Sequence, residues 1–145
     1  MFQHILVPLD GSRTAALALE KAGGLAKAFG AKVTVATVVD SYPFAHGGGE
    51  FSPGQGSFMD AARASADALL QRGVAELAAA GVAAGSRRVD GHAVHDGILQ
   101  AATECGADLI VMGSHGRHGV EKLLLGSTAQ RVLSHTRLPV FVVRG

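Results

Sequence analysis

The chain has 145 residues, 48% of them hydrophobic and 17% charged, with a net charge of +1 and one cysteine. That length suits a single domain, residues 1–145, able to bury roughly 70% of the surface its unfolded chain exposes, and the composition excludes a disordered chain or a broad basic footprint for nucleic acid. Cys105 has no second cysteine to pair with, no apolar run approaches the roughly 20 residues that cross a bilayer, and the opening residues lack the basic-then-apolar pattern of a leader; the expectation is a cytoplasmic protein with a small-molecule ligand, no nucleic acid and no membrane.

Residues 5–9, Ile-Leu-Val-Pro-Leu, predict a first strand buried on both faces. Ala15, Leu19, Ala22, Ala26 and Phe29 then recur at steps of four and three up to Gly30, which marks an amphipathic helix stopped by a glycine. Residues 33–39 predict a second buried strand, and the Gly, Ser and Pro-rich stretch from Ser41 to Ser57 reads as a mobile surface segment. Ala66, Leu70, Val74 and Leu77 give a second helical face before Gly81, followed by a weaker, polar strand around Arg87 to Val89 suited to a sheet edge. Val94, Ile98, Ala101 and Cys105 form a third face before Gly106. Gly30, Gly81 and Gly106 are each placed for the left-handed turn that ends a helix. Residues 108–112 and Val140 to Val143 complete the strands and, like the first two, read as central strands buried on both faces. Between them a helix runs from about Ser127 to His135, with Ser127 and Gln130 at capping-box spacing and Ala129, Val132 and Leu133 as its buried stripe. Alternating strands and helices with short right-handed crossovers give an α/β fold, a doubly wound five-stranded parallel sheet with helices on both faces.

In such a sheet the strand C-termini share one edge, so the loops after Leu9, Val39 and Met112 converge there. Glycines gather at that edge, in Gly113-Ser-His-Gly116 and again in Gly126-Ser127-Thr128. Gly113 and Gly116 read as positions where the backbone turns tightly and approaches an anion, and Gly126 as the opening of the last helix, whose first amides lack partners. Ser127 and Thr128 add neutral donors, and Ser127 also suits an N-cap. The Lys-Ser/Thr pair of a P-loop is missing, and Pro8-Leu9-Asp10-Gly11-Ser12, not a G-x-G-x-x-G, follows the first strand. A carboxylate at Asp10 repels a triphosphate but accepts hydrogen bonds from ribose hydroxyls; Asp10 and Ser12 also suit the cap of the first helix.

The spacing Gly-x2-Gly-x9-Gly-Ser at Gly113, Gly116, Gly126 and Ser127 resembles the ATP-binding signature of the universal stress protein family. The segments ILVPLDGS, GADLIVMGSHGR, LLLGSTAQRVL and LPVFVVR look like that family as well. The resemblance implies a Rossmann-like sheet of strand order 3-2-1-4-5, a homodimer paired through Val140 to Val143, and a site for ATP or a related adenine nucleotide. It implies ribose at Asp10, adenine at Val38 and its neighbouring backbone, and phosphates at Gly113, Gly116, Gly126, Ser127 and Thr128. Pro8, Leu9, Met112 and Ser114 would line the same cleft. Arg117 and Lys122 would offset phosphate charge, Glu121 opposes them, and a Mg2+ bound with the nucleotide would compensate.

The resemblance thus implies a nucleotide-dependent sensor or regulator in the stress response. Two alternatives stay open in the sequence: a slow ATP hydrolase, with Asp10 or a loop histidine as its only candidate base, and a dimeric interaction protein with a vestigial nucleotide site. A nucleotidyl transferase is disfavoured, because no His-x-Gly-His follows the first strand. The pairs His92/His95 and His115/His118 fall short of the ligands zinc requires, so no metal site is expected. His115 and His118, within the glycine loop, suit phosphate contact instead. Cys105 reads as a small core residue, not a nucleophile.

Overall fold

The computed structural model describes residues 1–40, 53–116 and 124–145, with residues 53–55 described by their backbone alone. In chain order the elements are β1 (His4–Pro8), α1 (Arg13–Phe29), β2 (Lys32–Val39), α2 (Pro53–Ala79), β3 (Ala84–Asp90), α3 (Val94–Cys105), β4 (Leu109–Gly113), α4 (Ser127–His135) and β5 (Val140–Val143). The five strands are parallel and lie in the order β3-β2-β1-β4-β5. This is the doubly wound, Rossmann-like sheet expected, with β1 and β4 adjacent at the point where the winding reverses.

Period-two alternation sends neighbouring strand residues to opposite faces, and both faces are covered. Ile5, Val7, Val33, Val35 and Val111 pack with Ala18, Leu19 and Ala22 of α1 and Leu70 and Leu77 of α2. Leu6, Ala36, Ile110 and Met112 pack with Ile98 and Ala101 of α3 and Ala129 and Val132 of α4. Burying each larger aliphatic side chain contributes about 1.5–3 kcal/mol, which is why these strands read as unbroken apolar runs. The polar β3 is an edge strand, as its composition implied, and charge protects it: Arg88 bonds Asp67 of α2 at 2.8 Å, and Arg87 pairs with Glu104 of α3.

Local chemistry accounts for the helix ends. Ser12 caps α1, its hydroxyl accepting the Ala15 amide at 3.2 Å. Gly30 and Gly106 close α1 and α3 with φ of 66° and 71°, the left-handed turn that an L side chain resists.

Five expectations change. Val140–Val143 is not a central strand buried on both faces: β5 lies at the outer edge of the sheet beside β4, which leaves Phe141 exposed. Residues 53–57 are not part of an irregular segment; α2 begins at Pro53, where a missing amide proton costs the first turn nothing, while residues 41–52 lie outside the described residues. Phe29 does not enter the core: it is 39% exposed and packs edge-on against Phe2 with centroids 5.5 Å apart. Leu133, placed in the buried stripe of α4, is 41% exposed, because that short helix packs mainly on α3 and buries only Ala129 and Val132. The capping box is absent: Gly126 occupies the N-cap of α4, Ser127 is already helical, and the Gln130 side chain donates instead to the Leu125 carbonyl at 3.0 Å.

Candidate functional site

β1 and β4 end side by side, and the chain leaves them toward opposite faces, which opens a crevice at the C-terminal edge of the sheet. A cleft of about 310 Å³ occupies it. Pro8, Leu9, Asp10, Val38, Met112, Gly113, Ser114, Gly116, Gly126, Ser127 and Thr128 all line this cleft. Arg117 falls outside the described residues, as do His118, Glu121 and Lys122. Sequence reasoning did not place Ala15, Ala36, Val94, Ile98 or Ala129 at the site. Ala36 was findable, because it lies two residues before Val38 and shares its face of β2; Val94 and Ile98 carried only a core signal.

The cleft has two chemically different ends. On the side of β2 and α3, Ala36, Val38, Val94 and Ile98 make an apolar wall suited to a flat, apolar group. The wall is tight, since a Cβ at Gly97 would stand 2.6 and 2.7 Å from the Val38 methyl carbons. On the side of β4 and α4 lies the start of a helix with no side-chain cap among the described residues and no acidic residue in its first turn. Its leading amides therefore keep their donor capacity at the positive end of the helix dipole, a setting that favours an anion by about 0.3–1 kcal/mol, up to about 2 when partly buried. Asp10 follows β1, the strand between these two ends.

Hydrogen bonds hold the β4 loop in place. The Ser114 amide donates to Val143 at 2.8 Å, and the Ser114 carbonyl accepts from Gly126 at 2.6 Å, so this buried residue joins β4, β5 and the start of α4. Ser114 Oγ meets His115 Nδ1 at 3.0 Å, whereas the buried His115 Nε2 has no partner among the described residues. Asp10 Oδ1 accepts the Ser12 amide at 2.8 Å. The capping role is thus met by Ser12 directly and by Asp10 through it, with Asp10 still lining the cleft.

The glycines act differently from the expectation. None of Gly113, Gly116 and Gly126 has a positive φ, so tight turning is not what selects them. A Cβ at Gly113 would press on the Thr14 hydroxyl and stand 2.7 Å from the Thr14 carbonyl carbon and 2.8 Å from the Ala15 nitrogen. Gly113 is required because α1 packs directly on the end of β4. A Cβ at Gly126 would meet the Ser114 carbonyl oxygen at 3.0 Å, and one at Gly116 would meet Asp10 Oδ2 at 3.1 Å. These two serve the close packing of the cleft itself.

Among the described residues, the groups with displaced pKa values lie away from the cleft. Burial, then the Lys32 charge, lowers His4 against the pull of Asp108. Burial raises Asp108, but the amides of His4 and Gln3 outweigh it and hold the carboxyl below its ordinary value. The Gln100 side chain, opposed by burial and helped by Arg87, lowers Glu104. No group of three metal-ligating side chains comes together among the described residues, and no described helix is long and apolar enough to cross a membrane.

Sheet order, winding and an edge cleft with one apolar and one amide-rich end define a Rossmann-like α/β domain of the kind that takes ligands at the switch point of the sheet. The sequence profile described as the universal stress protein family matches residues 1–144. A universal stress protein of Methanocaldococcus jannaschii is 32% identical over 99% of this chain and 83% of its own length. A universal stress protein family structure from Burkholderia pseudomallei is 35% identical, covers 97% of this chain and 95% of its own, and superposes with a TM-score of 0.77. A universal stress protein solved in complex with cAMP is 28% identical, with 98% and 96% of the two chains covered and a TM-score of 0.69. The chain belongs to the universal stress protein family.

Proposed function

We propose that this chain acts as a single universal stress protein domain that binds ATP or a related adenine nucleotide in the edge cleft and serves as a nucleotide-dependent sensor or regulator in the cytoplasmic stress response. The observation that carries the proposal is the bare start of α4, set into the same cleft as the apolar wall around Val38. Adenine packs on that wall, the ribose hydroxyls donate to Asp10, and the phosphates meet the amides and hydroxyls of Gly126, Ser127 and Thr128 with the Gly116 loop and Arg117. Gly113 serves this end indirectly, by letting α1 close on the loop. The family member solved with cAMP supports an adenine nucleotide as the ligand class. A micromolar complex needs about 8 kcal/mol, within reach of base burial, ribose hydrogen bonds and amide–phosphate contacts together.

Binding is favoured over turnover because the Lys-Ser/Thr pair of a P-loop is missing from the glycine segment. A Mg2+ entering with a triphosphate takes its ligands mainly from phosphate oxygens and water, as magnesium does elsewhere; Asp10 is the carboxylate at hand in the cleft. The outer edge of β5 has no strand beside it among the described residues, and Phe141 on it is 46% exposed. A twofold partner pairing along Val140–Val143 would cover that edge, giving twice the monomer mass in light scattering.

Native mass spectrometry of the purified protein, followed by calorimetric titration with ATP, ADP, AMP and cAMP, tests the reading. In Gly126→Val the new side chain meets the Ser114 carbonyl and displaces the loop from α4; nucleotide affinity falls by about tenfold or more while circular dichroism stays native. Unchanged affinity in that variant would refute the site.

A further inference from the structure

We infer that Thr14 is a positioning residue of the anion-binding loop: its hydroxyl holds the His115 carbonyl and thereby aims the Gly116 amide into the cleft. The inference rests on the nucleotide-binding reading and assigns the loop a control point outside the glycine signature. Thr14 lies in the first turn of α1, and its Oγ1 donates to the His115 carbonyl at 2.6 Å, across 101 positions of sequence. Gly113 is pressed against the same turn, and a Cβ at Gly145 would stand 3.2 Å from the Thr14 methyl. The root of the loop and the residue that ends the chain after β5 therefore both pack on this one side chain.

A trans peptide unit points its carbonyl and its amide proton in opposite directions, and the described chain has no cis bond. With the His115 carbonyl bound to α1, the Gly116 amide of the same unit must point away from α1. That amide has no hydrogen-bond partner among the described residues, and its nitrogen lies 3.8 Å from the Cβ position of Gly126, the cap of α4. The neighbouring carbonyl is also engaged, since Ser114 accepts from Gly126 at 2.6 Å. Two consecutive carbonyl oxygens at an anion site are thus neutralised by internal donors, and the donor between them and the helix start is left for a ligand. Loss of the Thr14 hydroxyl frees the His115 peptide to rotate, which the absence of a Cβ at Gly116 permits. The loop then offers a phosphate an acceptor where it had offered a donor.

The test compares ATP with adenosine, which lacks phosphates, by calorimetry on wild type, Thr14→Val and Thr14→Ser. Thr14→Val is expected to bind ATP about tenfold more weakly, with adenosine within about twofold of wild type, and Thr14→Ser to recover ATP affinity to within about threefold. ATP affinity unchanged in Thr14→Val overturns the inference, as does an equal loss for ATP and adenosine, which would mark a merely structural role. Should Thr14→Val not fold, the wild-type Gly116 amide resonance decides: it shifts on adding ATP and inorganic triphosphate but not adenosine, and a resonance that stays put at ATP saturation overturns the claim. A wild-type protein that binds no adenine nucleotide would overturn the nucleotide reading itself, a result distinct from ATP binding that ignores Thr14.

Discussion

Replacing Gly113 by alanine places a methyl group where the first turn of α1 already stands. The new carbon would lie 2.7 Å from the Thr14 carbonyl carbon and 2.8 Å from the Ala15 nitrogen, both backbone atoms of a helix buried against β1 and β4. Ordinary carbon contacts begin near 3.5 Å, so α1 must withdraw by roughly 0.7 Å. Overpacking of this kind costs about 1–3 kcal/mol. At about 2.1 cal/mol/K per residue, unfolding a chain of 145 residues carries roughly 0.3 kcal/mol/K of entropy, so the Tm falls by about 3–10 °C. Gly116→Ala is the control, because among the described residues its new carbon meets the side-chain Oδ2 of Asp10 at 3.1 Å and no backbone atom. Its cost should stay below about 1 kcal/mol. Thermal and urea unfolding of both variants without ligand reads the difference directly. If Gly113→Ala matched wild type, or if the two variants lost equal stability, the assignment of Gly113 to helix packing would be wrong.

Gly97→Ala should lose about 1–3 kcal/mol through its clash with the Val38 methyl carbons, and adding Val38→Ala should restore part of that loss; a double-mutant cycle with no coupling would contradict the tight α3–β2 wall. His4 has a folded pKa below the ordinary histidine value of 6.5, so the unfolded chain binds the extra proton as pH drops. Its contribution is complete above that value and is lost as pH falls from there toward the folded pKa; urea midpoints between about pH 7.5 and 5.5 should therefore decline less in His4→Gln than in wild type, and identical slopes would refute it. Asp108, lowered from 3.8, adds stability that is present above that value and disappears as pH falls through its folded pKa. Asp108→Asn should flatten the acid limb of the same curve.

Strands and helix stops were legible because their signals are local. The apolar runs of β1, β2 and β4 announce burial on both faces, whereas the equally apolar β5 is an outer strand with Phe141 exposed, and Gly30, Gly81 and Gly106 adopt the left-handed turns their positions imply. The edge position of β3 was legible in its arginines, whose charges need solvent or a partner. The site was legible where its residues sit at strand ends and at the spacing Gly113, Gly116, Gly126 and Ser127, since parallel strands bring those ends to one edge.

What the residues do there was a tertiary question. Gly113 looks in sequence like a ligand-facing glycine, yet its lack of a side chain is used by α1, a helix beginning a hundred residues earlier. Ser127 has the chemistry of a cap, but the chain places Gly126 at that point and leaves the α4 amides uncovered. The bond from Thr14 to His115 has no sequence signal, because nothing local relates a helix's second residue to a distant carbonyl. The sequence alone determined which segments are strands, which are helices and which edge gathers the glycines, since period and turn chemistry act within a few residues. Only the tertiary structure decided which backbone groups stay free for a ligand, because that depends on which distant donors have already taken the others.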